Sequence, residues 1–222
     1  MAEEIIALDP NYPAGYRTLA FVEINNVWFG WSKSPKESLM RAIELAKKAI
    51  EIQDSSGPHR VLAYTYVLFR KHGEAREEAK KALEMEPNSA DAHNDLGHVL
   101  FQSEVAQEAV SVLKKAIRLN PYPPSMYFHN LAWAYHSLGK YEESIHSAKK
   151  AIQVNLKDIV AHRATVSFYS LLGREEDARA EAVKVLQIDP NFSVDRFAKR
   201  SPFKNKDKAK KIWDSYRKAG LN

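Results

Sequence analysis

The chain lacks cysteine altogether, which excludes disulfides, thiol nucleophiles and thiolate metal sites while leaving the compartment open. Glycine is sparse: the eight stand at 15, 30, 57, 73, 97, 139, 173 and 220, never within ten residues of one another. No glycine-rich loop that could cradle a phosphate can be built from them. HExxH and G-x-S-x-G are both missing. No window approaches the run of about eighteen apolar residues that a membrane span needs. The start, Met-Ala-Glu-Glu, has neither the basic opening nor the apolar core of a secretion signal. These absences lead us to expect no catalysis, no cofactor, no metal and no membrane span, in a cytoplasmic chain. Charge is uneven. Residues 196–222 carry ten Lys/Arg against Asp207 and Asp214, a net +8, so the first 195 residues sum to −3.

What is present is a period. Asp9-Pro10-Asn11, Glu86-Pro87-Asn88, Asn120-Pro121-Tyr122 and Asp189-Pro190-Asn191 punctuate the chain. Pro87 and Pro121 are 34 residues apart, and Pro121 and Pro190 are 69 apart, one unit of 34 plus one of 35. Proline closing units of this length marks a helical repeat array, whose product is a shaped surface. Each unit holds a helix pair. One runs Leu62-Ala63, Tyr66, Ala75, Ala79, Ala82, Pro87; the next Leu96-Gly97, Leu100, Ala109, Leu113, Ala116, Pro121. Then come Leu131-Ala132, Tyr135, Gly139, Ser144, Ala148, Ala151, followed by Thr165-Val166, Tyr169, Gly173, Ala178, Ala182, Val185, Pro190. Alanines four and three apart share a helical face and let neighbouring helices approach closely. Gly139 and Gly173 stand where a first helix should end in a left-handed turn.

This pattern closely resembles the tetratricopeptide repeat, with a small residue on the first helix, alanines on the second and a closing proline. The expected fold is all-α: a right-handed α-α superhelix of about five helix pairs with a C-terminal capping helix. We expect repeats over 13–192 (13–55 with an insertion, 56–89, 90–124, 125–158, 159–192) and a basic capping segment over 193–222. Residues 1–12 read as the end of a truncated upstream repeat, because Pro10 closes a unit that is not there. The insertion in the first repeat holds Val27-Trp28-Phe29-Gly30-Trp31, then Ser34-Pro35, and reads as a lengthened helix with an aromatic corner. In the tail, Ala209, Ile212, Trp213 and Tyr216 form one stripe among lysines.

The whole chain also looks like the C-terminal repeat region of bacterial multidomain proteins that carry an adenylate/guanylate cyclase or DNA-binding domain upstream. Ala7–Tyr12, the Phe29-Gly30-Trp31 insertion, and Ser201-Pro202-Phe203-Lys204 leading to Arg217–Leu221 carry that likeness. It implies a regulatory module and an upstream domain of the same polypeptide as a partner.

In the tetratricopeptide family the first helices line a concave groove. Carried onto this sequence, the groove positions are Arg17, Phe21 and Asn25; Arg60 and Tyr64; Asp91, Asn94, Asp95, His98 and Gln102; His129, Asn130, Trp133 and His136; and Arg163, Ser167 and Ser170. Asn, Arg and aromatic groups together suit a peptide, through its backbone, carboxylates and apolar side chains. The plainer alternative is that half of these are solvated surface. The Lys/Asn pairs with which some family members grip a C-terminal carboxylate are missing, which disfavours chaperone tails. His129 and His136 stand about 10 Å apart on a straight helix, too far to share one ion. His59, His93 and His162 recur at one position, which argues packing.

The expected function is therefore a non-catalytic scaffold binding a protein or peptide in the groove. Two alternatives are self-assembly into a homo-oligomer and nucleic-acid contact through the basic tail. The second is disfavoured because the lysines interleave with Ile212, Trp213 and Tyr216, as in a capping helix with a solvated face.

Overall fold

A computed structural model describes residues 2–201 and 203–222; Met1, and Pro202 within the Ser201–Lys204 stretch, lie outside the described residues. Everything regular among the described residues is helical. The helices are α1 (Ala2–Leu8), α2 (Pro13–Phe29), α3 (Pro35–Ile52), α4 (Ser56–Leu68), α5 (His72–Met85), α6 (Ala90–Gln102), α7 (Ala106–Leu119), α8 (Ser125–Ser137), α9 (Tyr141–Val154), α10 (Ile159–Leu171), α11 (Glu175–Ile188), α12 (Val194–Arg200) and α13 (Lys206–Lys218). From α2 to α11 they form five antiparallel pairs. Each first helix (α2, α4, α6, α8, α10) packs on its own partner and on the first helix of the neighbouring pair. That is the stacking of a solenoid.

The alanine stripes explain the tight stacking. Ala42, Ala46 and Ala49 on α3, Ala75, Ala79 and Ala82 on α5, and Ala148 and Ala151 on α9 are all buried. Gly97 on α6 shows why its position is small: a Cβ there would sit 2.4 Å from Leu113 Cγ on α7. Prolines 87, 121 and 190 follow the ends of α5, α7 and α11, which they cannot extend. Ser89 and Asp158 cap α6 and α10 by accepting from the N–H groups of Ala92 (3.2 Å) and Ala161 (2.9 Å). Pro35 opens α3 as its first residue, although the Ser34 side chain makes no capping bond. The first pair is longer than the rest, with α2 at 17 residues against 13 in α4. Gly30 ends α2 in the left-handed region, and Trp31 folds back onto Phe29 at 5.0 Å.

The histidines at the shared position tie helix to helix. His59 meets Glu78 of α5 at 2.5 Å, and His162 meets Glu181 of α11 at 2.6 Å. His93 instead contacts the Pro87 carbonyl at 3.0 Å. All three rings are buried.

After α11 the chain departs from a single capping helix. α13 does bury Ala209, Ile212, Trp213 and Tyr216, packing on α10, as its apolar stripe requires. A short additional helix, α12, precedes it. The α12–α13 connection runs back towards the earlier repeats: the Ser201 carbonyl accepts from Arg70 Nη2 (3.1 Å) and Lys208 pairs with Glu104 (3.6 Å). Phenylalanines 197 and 203, both half-buried, turn towards the inner face.

Candidate partner-binding groove

All five first helices contribute to one cavity on the inner face, of ≈ 360 Å³, and the α12–α13 segment forms part of its wall. Nine of the expected groove residues line it: Phe21 and Asn25 from α2, Arg60 and Tyr64 from α4, His98 from α6, His129, Asn130 and Trp133 from α8, and Arg163 from α10. Asp95 and Gln102 line it too. Six expected residues stand elsewhere: Asp91 accepts from Tyr127, Ser167 is fully buried, Ser170 donates to the Ser215 carbonyl at 3.4 Å, and Asn94, Arg17 and His136 are placed as follows. Asn94 is fully buried and faces neighbouring helices. Arg17 lies against Gly57, where a Cβ would come within 2.7 Å of its Cδ, so its stem covers the α2–α4 contact. His136 is held in an aromatic stack with Phe168 (5.2 Å) and Trp133 (5.3 Å).

A buried hydrogen-bond relay fixes the middle of the groove. Asp95 accepts from Arg60 Nε (2.5 Å), Tyr64 Oη (3.0 Å) and Asn94 Nδ2 (3.2 Å). Asn130 Nδ2 donates to Asn94 Oδ1 at 3.0 Å, and Asn130 Oδ1 faces His98 Nδ1 at 3.3 Å. Because each amide's polarity is set by the last, His98 Nδ1 is the donor, and with its pKa lowered by burial the ring is neutral and Nε2 carries no proton. Burial, opposed by the Asn130 hydrogen bond, drives the His98 pKa down to about 4. Burial tends to raise the Asp95 carboxyl and wins over Arg60 and its hydrogen bonds, so its pKa lies above the ordinary value. The relay joins α4, α6 and α8 and holds six side chains in one arrangement.

Around this polar core the wall is mostly apolar. His98 is boxed by Tyr64 (4.9 Å), Phe101 (5.0 Å) and Trp28 (5.8 Å). His129 pairs with Asp158 at 2.9 Å. Burial works to raise the Asp158 pKa, yet the His129 contact and the Ala161 N–H outweigh it and hold it at about 2. Among the described residues no group of three His, Cys, Asp or Glu side chains could hold a metal ion.

Sequence reasoning missed Phe101, Met126 and Val160, which fill the wall between polar positions, and Phe197, Ser201 and Phe203 from beyond the last repeat. A signal for the last group existed: two phenylalanines interrupt a strongly basic stretch that has no other reason to hold them.

Residues 61–124 and 127–158 match family models, each described as a tetratricopeptide repeat. The chain carries tetratricopeptide repeats. Proteins built of such repeats act as protein-interaction scaffolds, and the fold itself is a non-catalytic class. Among curated relatives, U-box domain-containing protein 70 of Oryza sativa subsp. japonica is 31% identical over 144 residues, 63% of this chain and 17% of that protein. Among solved structures, the Cut9–Hcn1 hetero-tetramer of APC/C superposes with a TM-score of 0.72 at 18% identity, covering 99% of this chain and 38% of that one. The tetratricopeptide-repeat protein TTC0263 of Thermus thermophilus gives 0.65 at 20% identity, covering 89% and 98%. These structural likenesses show the fold. The tetratricopeptide-repeat chain spans 17% to 27% of the length of the first curated relatives it matches. No described helix is long and apolar enough to cross a membrane.

Proposed function

We propose that this tetratricopeptide-repeat chain is a cytoplasmic interaction module that binds a segment of a protein partner in its concave groove. In this reading it is one part of a larger regulatory protein, and the effector attached to it is of the cyclase or DNA-binding kind. The observation that carries the groove assignment is an inner-face cavity touched by all five first helices. Its relay-fixed polar centre within an aromatic wall combines orientation with apolar anchoring, as a recognition site requires. The short span of the curated relatives supports the modular reading.

The test places a photo-crosslinking benzoylphenylalanine at Phe21, in the groove, or at the outward-facing Lys80. Crosslinks to one defined partner from Phe21 and none from Lys80 are expected. Equal labelling from both positions would remove the groove assignment.

Self-assembly is the second reading, favoured by one observation: Trp31 is 71% exposed and stacked on Phe29 at the N-terminal end of the array. Crosslinks from Phe21 to a second copy, or a concentration-dependent mass in sedimentation, would support it. Nucleic-acid contact is less favoured because tail cations are engaged: Lys208 with Glu104, Lys218 with Glu175, and Arg217 with Asp195.

A further inference from the structure

One backbone position recurs in every unit. The left-handed turn after each first helix is held by Gly30, Arg70, Glu104, Gly139 and Gly173. Three are glycines, for which a positive φ carries no steric cost. Arg70 (φ 60) and Glu104 (φ 66) are the non-glycine residues in that region among those described. A side chain there strains the backbone, and strain that persists at a replaceable position points to a use for the side chain. Arg70 reaches the α12–α13 connection and Glu104 reaches the first turn of α13. Arg70 Nη2 donates to the Ser201 carbonyl at 3.1 Å, and Glu104 pairs with Lys208 at 3.6 Å.

That segment crosses the inner face. The Phe203 ring lies 5.5 Å from Trp133 and 5.9 Å from Trp213. Phe197 sits under the Arg163 guanidinium at 4.1 Å. The anchors on either side are firm. Val194 is fully buried with its N–H on the Asn222 carbonyl at 3.0 Å, and α13 buries Ile212 and Tyr216. The stretch between them is held by two half-buried phenylalanines, both against Trp213, by the buried Ser201 carbonyl, and by two ion pairs at partly exposed side chains, Asp195 with Arg217 and Lys208 with Glu104. Contacts of this kind open more readily than a buried helix.

We propose that α12 and the segment joining it to α13 are a built-in occupant of the groove, latched by Arg70 on the joining segment and by Glu104 on the first turn of α13. The partner that replaces it is a segment of the same chemistry, anchored by phenylalanine rings against Trp133 and the Arg163 guanidinium. This rests on the reading that the concave face binds a partner's segment, and it adds the partner's class and a restraint on access. A tethered occupant acts at an effective concentration on the order of millimolar, so a free competitor binds the intact chain poorly.

The test uses the full chain and a fluorescent peptide with the sequence of residues 194–205, read by anisotropy. Arg70→Gly with Glu104→Gly removes both latches and relieves both strained turns, so the variant keeps or raises its thermal midpoint. It should bind the peptide at least about tenfold tighter than the unaltered chain, since the tethered competitor is weakened. A peptide with serine at both phenylalanine positions should not bind. Because the chain has no cysteine, Glu104→Cys with Lys208→Cys can be bridged by a short bismaleimide, and the bridged form should lose peptide binding. An unlatched chain that binds no tighter, a bridged chain that binds as well as the unbridged one, or a serine peptide that binds normally each overturns the proposal. Those outcomes leave the Phe21 crosslinking result untouched, so the two readings fail separately.

Discussion

His98 should make the array sensitive to acid well above the range where carboxylates titrate. Its ring is enclosed by Tyr64 of α4, Trp28 of α2 and Phe101 of α6, faces Asn130 and His129 of α8, and has its pKa pushed to about 4. The unfolded chain takes up a proton near pH 6.5 that the folded chain refuses until about pH 4. Between those values the unfolded state binds more protons, so stability rises with pH. The contribution is fully present above 6.5 and lost as the pH falls to about 4. The gap corresponds to about 3 kcal/mol in total, of which about 2 kcal/mol is gone by pH 5. His136, His72 and His93 shift the same way through burial, so the whole array should weaken over this window. His162 runs the other way: its pKa is raised by Glu181 despite burial, so its contribution is present below 6.5 and lost at higher pH. The assay is urea unfolding at pH 7.5, 6 and 5 for the unaltered chain and for His98→Gln, which keeps an amide donor but cannot titrate. The variant should lose about 2 kcal/mol less stability between pH 7.5 and 5. Parallel pH curves for the two proteins would refute the placement of His98 as a buried, neutral group.

Other outcomes follow from the same packing. Gly97→Ala should destabilise the array by about 1–3 kcal/mol, since its new Cβ would lie 2.4 Å from the buried Leu113; adding Leu113→Val should recover part of the loss in chemical denaturation. Asn130→Leu leaves the buried Asn94 oxygen and His98 Nδ1 without partners and should cost about 2–4 kcal/mol, with the pH dependence from His98 altered. Asp158→Ala removes both the α10 cap and the His129 contact, and should lower stability at pH 7 by about 1–2 kcal/mol. That difference should shrink as the pH falls through about 2, because the Asp158 contribution is present above the ordinary carboxylate value and lost below it. Arg70→Gly alone should keep or raise the thermal midpoint in calorimetry, because relief of the left-handed turn offsets the lost bond to Ser201.

The sequence by itself determined the repeat: helix pairs, alanine faces, closing prolines and the glycine turns at 139 and 173. Each is decided within one unit or between neighbours, where propensity and a period near 34 residues act on nearby groups. Gly97 against Leu113 and the His59 and His162 contacts belong to the same short range. The tertiary structure decided what no period encodes. Asn94 stands at a groove position by family alignment yet is buried, because Asp95 and Asn130 recruit its amide into the relay. The tail reads as a single cap because its lysines and apolar stripe satisfy a helix by themselves. Only the folded chain brings Ser201 to Arg70 across 131 residues of sequence and sets Phe203 against Trp133. Such contacts depend on where the superhelix places its inner face, which is a sum over all the units and is written in none of them.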